Sequence, residues 1–149
     1  MKRTAFIIRG LSGSGKSTIA RMIKTFIEND EIKRENSCKI ISTDDFFMEA
    51  GVYKFDPKLL GKNHALAFEA FVDALKPESN YRAVILDNTN TQYWEYKEYI
   101  KVAKEANWDI QVMIIGQPKD DEHVLQCAER NSHGVPLEAI MRMSNRFQL

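Results

Sequence analysis

Residues Gly10–Thr18 read G-L-S-G-S-G-K-S-T, a run whose types and order suit a phosphate chain. Gly10, Gly15, Lys16 and Ser17 fill the four defining places of G-x-x-x-x-G-K-[ST], the Walker A pattern. Glycines let successive backbone N–H groups turn inward around an anion. A helix beginning at that point adds its free donors and its dipole. Ser12, Gly13, Ser14 and Thr18 complete the cradle. Lys16 is expected to reach the β- and γ-phosphates, and the Ser17 hydroxyl to ligate Mg²⁺. A flexible glycine turn would need neither the lysine nor the hydroxyl, so a nucleoside triphosphate is the implied ligand.

Three further polar clusters bear on what happens to that triphosphate. Residues 42–47 read S-T-D-D-F-F, two carboxylates between hydroxyls and rings. Asp44 or Asp45 can take a proton from an acceptor or hold the water shell of the metal. Phe46 and Phe47 can wall an acceptor pocket; the bland alternative makes the acids turn formers and the rings core. Residues 86–90 read L-D-N-T-N, with asparagine after Asp87 where water-activating motors usually carry glutamate. The guanine-reading N-K-x-D is missing from the sequence, which disfavours a GTPase switch. Without a water activator, transfer to a hydroxyl is expected over hydrolysis. The third cluster reads E-R-N-S-H-G-V (129–135).

These clusters need elements to hold them. Thr4–Arg9 is a short β-type run, and Lys16–Asn29 carries Ile19, Met22, Ile23, Phe26 and Ile27 at helical spacing. Cys38–Thr43 reads as a second strand. Asp56-Pro57 opens a helical stretch to Leu75, with Gly61 a point of division. Its stripe is His64, Phe68, Phe71 and Leu75, so His64 is expected in the core. Arg82–Leu86 is continuous enough to be buried on both faces. A helix striped by Tyr93, Tyr96, Ile100 and Ala103 follows, capped by Asn90 or Thr91, then a strand at Asp109–Ile115. Asp120 and Pro136 start two more helices. The alternation predicts an α/β fold with a central parallel sheet and helices on both faces. Ligands then bind beyond the carboxyl ends of the strands, where all the polar clusters fall.

Composition narrows the function further. The 149 residues suggest one domain, 1–149, able to bury about two thirds of its unfolded surface. Lys plus Arg and Asp plus Glu balance at 21 each, so any basic site must be local. No apolar run approaches a membrane span, and two isolated cysteines, Cys38 and Cys127, fit a reducing cytoplasm.

The ordered set G-L-S-G-S-G-K-S-T, S-T-D-D-F-F, D-N-T-N and E-R-N-S-H-G-V resembles the P-loop polynucleotide 5′-hydroxyl kinases. Gly51–Asp56 (G-V-Y-K-F-D) and Leu60–His64 resemble more closely the kinase-like domain of an animal ubiquitin-ligase-binding protein. The resemblance implies a transferase using ATP and Mg²⁺ to phosphorylate the 5′-hydroxyl of DNA or RNA. It matches Asp44 to the family's general base, and Arg130 to a lid residue over the phosphates. It matches Asp87, Thr89 and Asn90 to a motif near the acceptor, beside Asp45 and Phe47. The family's phage enzyme has an arginine at the place of Phe47 and extra basic residues at that of His133-Gly134, so acceptor binding is expected to differ. A small-molecule acceptor, such as a nucleoside or sugar, and a nucleotide-binding module without transfer are the alternatives.

Overall fold

The computed structural model describes residues 2–29 and 35–149. Four parallel strands form the sheet: β1 (Thr4–Arg9), β2 (Cys38–Ile41), β5 (Ala83–Asp87) and β6 (Asp109–Ile114), in the order β2-β5-β1-β6. Every residue of β5 is buried, as a central strand covered on both faces requires. On one face, helix α1 (Lys16–Glu28) lays Ile19, Ala20, Ile23 and Ile27 against Ile8, Cys38 and Ile85. On the other, α2 (Leu60–Leu75) and α3 (Tyr93–Glu105) bury Phe71, Leu75, Tyr96 and Tyr99 against Ile7, Val84 and Leu86. The alternating pattern thus gives the expected α/β architecture.

Several boundaries differ from expectation, each for a local reason. The second strand stops at Ile41, because Ser42 caps a 3₁₀ turn over Thr43–Phe47 by accepting from the Asp44 amide. Asp56 and Pro57 open a single 3₁₀ turn, Pro57–Leu59, and α2 then runs unbroken through Gly61. Its buried stripe is Asn63, Ala67, Phe71 and Ala74, which leaves His64 exposed instead of in the core. The α3 cap is Gln92 in a reciprocal box with Glu95, and Tyr93 lies exposed.

A short hairpin fills the gap between the acid pair and α2. Its strands are β3 (Met48–Glu49) and β4 (Val52–Tyr53), paired antiparallel with Glu49 opposite Val52. Ala50 and Gly51 make the two-residue turn, both with positive φ (51° and 80°). That turn places Tyr53 beside Met48 and back toward Asp44.

The last two helices, α4 (Asp121–Arg130) and α5 (Leu137–Arg146), cover the carboxyl end of the sheet around Leu11, Val124, Cys127, Ile140 and Phe147. Buried Arg9 ties this cap down. Its guanidinium donates to the carbonyls of Asn90, Thr91 and Gln148 and lies over the rings of Tyr96 and Phe147. Among the described residues no helix is long and apolar enough to cross a membrane.

Candidate active site

The phosphate loop leaves β1 at Gly10 and enters α1 at Lys16. The Gly10 amide donates to the Thr89 carbonyl (3.1 Å), which fixes the loop to the end of β5. Gly13 and Gly15 adopt φ of 84° and 99°, where a side chain is strained. A Cβ on Gly13 would also stand 2.2 Å from the Cys127 carbonyl oxygen, so α4 packs on the loop only because glycine is there. Ser14 Oγ is buried against Gly10 without a hydrogen-bond partner among the described residues, a polar atom of the loop left unsatisfied.

Lys16 is buried, and Nζ donates to the Leu11 carbonyl at 2.9 Å. Burial lowers its pKa, while the charges of Asp87 and Asp44 act the other way. Two carboxylates therefore oppose the cost of burying the ammonium, without outweighing it. Ser17 Oγ donates to Asp87 Oδ2 at 2.8 Å, so the proposed Mg²⁺-ligating hydroxyl already has an acid beside it. Sequence reasoning put Asp87 with the acceptor; the structure joins it to Ser17 and sets it in the same cleft as Asp44 and Asp45. Among the described residues no group of three His, Cys, Asp or Glu side chains could cage a metal ion. One hydroxyl and one carboxylate suit Mg²⁺, which keeps waters and takes the rest of its shell from phosphates. The donor set and the orphaned Ser14 hydroxyl fit Mg²⁺ and a triphosphate.

The acid pair reaches the same cleft on its 3₁₀ turn. Asn88, in the place of a motor's glutamate, accepts from the Thr43 amide (2.9 Å). Thr43 Oγ1 meets His64 Nδ1 (3.3 Å), and Asn63 donates to the Phe46 carbonyl (3.2 Å). Phe47 anchors the turn from inside: it is buried and packs on Tyr53 and Phe55 at 6.3 and 5.1 Å. Acid and ring adjoin because the ring fills the core and lifts the acid into the cleft. Phe47 therefore makes no wall for an acceptor. Asn90 is likewise buried and bonded to the Ile8 carbonyl, and half-buried Thr89 offers its carbonyl to Gly10.

Asp44, Asp45, Asp87, Ser17, Arg21, Met48 and His133 border a concavity of about 170 Å³. Partial burial, then the charges of Asp44 and Asp87, raise the pKa of Asp45. Arg21, Tyr53 and His133 escaped the sequence reading as site residues. Arg21 carried a findable signal, since it follows Ser17 by four residues, one helical turn on α1. A larger hollow of about 650 Å³, lined by Trp108, Leu75 and Lys76, lies away from the phosphate loop.

Arg130 ends α4, one turn after the Cys127 carbonyl that touches the loop, and is exposed. The following turn is closed by Asn131. Its amide donates to the carbonyls of Ala128 (3.0 Å) and Val135 (3.1 Å) and accepts from the Val135 N–H (2.8 Å). His133 stands at the tip of that closed turn, 3.5 Å from Asp44.

The sequence and fold have counterparts among known proteins. The chain is 34% identical to human NEDD4-binding protein 2 over 99% of its own length, but spans only 8% of that protein. Its fold is similar to Kti12 of Chaetomium thermophilum, solved with ADP-AlF3, at a TM-score of 0.70 and 22% identity, covering 97% of this chain and 80% of that one. A chain of the Pnkp1/Rnl/Hen1 RNA repair complex is similar at a TM-score of 0.67 and 20% identity, over 97% of this chain and 44% of that one. These likenesses show a P-loop kinase-like fold, in which nucleotide binding is implied. A family model described as an AAA domain matches residues 6–149, from the first strand through the closed turn and beyond, and the chain belongs to that family.

Proposed function

We propose that residues 1–149 act as one kinase domain that transfers the γ-phosphoryl group of ATP to a hydroxyl, the acceptor being the 5′-hydroxyl of a DNA or RNA end. The observation that carries this reading is the sharing of one cleft by the Ser17–Asp87 pair and Asp44. The loop amides, Ser12, Ser14 and Thr18 hold the phosphates, and the Lys16 ammonium neutralises their charge. Ser17 and Asp87 would hold Mg²⁺, which would supply further neutralisation of the transferring group's charge. Asp44 takes the acceptor's proton as the oxygen attacks, and the bond from the γ-phosphorus to the ADP oxygen breaks. Arg130 closes over the phosphates with paired N–H donors. Arg21 gives an otherwise acidic cleft one guanidinium for a phosphate of the acceptor strand, which favours a nucleic-acid end over a neutral sugar. The cytoplasm supplies both ATP and reduced cysteines.

The test is transfer of label from γ-labelled ATP, with Mg²⁺, to a panel of 5′-hydroxyl oligonucleotides, nucleosides and sugars. Label on oligonucleotide ends is expected. Label confined to small acceptors would replace this reading with a small-molecule kinase, and binding without transfer would leave a nucleotide-binding module.

A further inference from the structure

Asp44 lies between two ring side chains that come from different parts of the chain. Tyr53 Oη donates to Oδ1 at 3.4 Å, and His133 Nε2 lies 3.5 Å from Oδ2. The two rings pack on each other, with centroids 4.0 Å apart and planes inclined by 38°. Neither contact follows from nearness in sequence. Tyr53 arrives because the hairpin reverses at Ala50-Gly51, and buried Phe47 sits edge-on behind it. His133 arrives on the closed turn that follows Arg130. Burial, then the charge of Asp44 and the bond to it, push the Tyr53 phenol up to about 12, so it stays a donor at any working pH.

We infer that Tyr53 and His133 are positioning residues that together orient the Asp44 carboxylate. The inference rests on the reading of Asp44 as the base. A general base works only within hydrogen-bond reach of the proton it takes, and an aspartate at a cleft mouth has rotamers that miss. The Tyr53 hydroxyl on one oxygen and the His133 ring nitrogen beside the other select a single orientation and leave lone pairs for the acceptor. Lys16, Arg21, Asp45 and Asp87 are the other charged groups around this carboxylate, and none is bonded to it among the described residues. His133 stands three residues after Arg130, so one turn carries both the arginine proposed for the phosphates and the ring beside Asp44.

The experiment compares Tyr53→Phe, His133→Ala and His133→Gln in the full chain, with a 5′-hydroxyl oligonucleotide as acceptor. Tyr53→Phe and His133→Ala each lower kcat by about tenfold, the size of one lost hydrogen bond to a charged group, with KM for ATP unchanged. His133→Gln keeps an amide donor and recovers most of the rate, which a purely structural role would not predict. A second arm needs no turnover. The His133 ring protons, next to the Tyr53 ring, resonate upfield by NMR and return to ordinary positions in Tyr53→Leu. Wild-type kcat in both Tyr53→Phe and His133→Ala, or His133 signals indifferent to Tyr53→Leu, overturns the inference. Full transfer by Asp44→Asn would instead remove the base reading, and the inference with it, while the ring signature stayed intact.

Discussion

Ser17 Oγ donates to Asp87 Oδ2 across 2.8 Å, joining the first turn of α1 to the last residue of β5. Two elements far apart in sequence thereby meet where a divalent cation would stand.

Asp87→Asn keeps the shape of this pair and removes its charge. Mg²⁺ affinity in the presence of ATP is expected to fall about 10- to 100-fold, the usual range for losing a metal-orienting carboxylate. Titration of Mg²⁺ against nucleotide binding measures it, and an unchanged midpoint would remove Asp87 from the metal site.

Lys16→Met deletes the buried ammonium without emptying the space. Phosphoryl transfer is expected to drop by about 10²- to 10³-fold, as for removing one preorganised charge-stabilising donor. Asp44→Asn should cost about 10²- to 10⁴-fold in transfer while ATP binding holds, because the proton acceptor is lost but the phosphate cradle is untouched. Single-turnover rates beside nucleotide-binding isotherms separate the two variants.

Gly13→Ala sets a methyl group against the Cys127 carbonyl at 2.2 Å and strains a residue at φ 84°. The backbone strain alone costs about 1–3 kcal/mol. Lower thermal stability and lost nucleotide binding are expected together, by calorimetry and by isotherm.

Ala50→Asn acts the other way. Ala50 occupies the left-handed region (φ 51°) beside Gly51, and Asn-Gly is the favoured pair for such a turn. A gain of about 0.5–1 kcal/mol in urea unfolding is expected, since an ordinary side chain there costs roughly 1–2 kcal/mol.

His123 makes stability fall in acid. Its ring is buried against Gly116 and Cys127, and burial, helped by the charge of Arg130, lowers its pKa below 6.5. The folded chain therefore prefers the neutral ring. Its contribution is complete above about pH 6.5 and is lost as pH falls from there toward the folded value, with a slope of at most about 1.4 kcal/mol per unit. Urea midpoints between pH 7.5 and 5.5 should drop more steeply in the parent chain than in His123→Gln.

Much of this was legible in the sequence because it rests on short-range rules. The phosphate loop is a contiguous pattern and Arg82–Leu86 a nearly continuous apolar run, so the loop fell where expected and the strand, Ala83–Asp87, one residue further on. Three features were hidden for physical reasons. The hairpin has two-residue strands, too short for any alternation, so Tyr53's return to Asp44 left no pattern. Arg9 reads as the polar end of a strand, yet backbone carbonyls and two rings make its burial tolerable. His64 kept helical spacing with the core stripe but stands at the edge of that stripe, where it serves Thr43. The parts that sequence missed are those that depend on where distant segments meet.

The Asn131 amide closes the turn that carries His133 with three strong bonds to the backbone around it. That turn loses its conformational entropy when the chain folds, and little remains to be lost when an acceptor arrives. On the proposed kinase reading, preorganisation of this kind spends no acceptor affinity on ordering a loop, so even a short acceptor with few contacts is expected to be held in register.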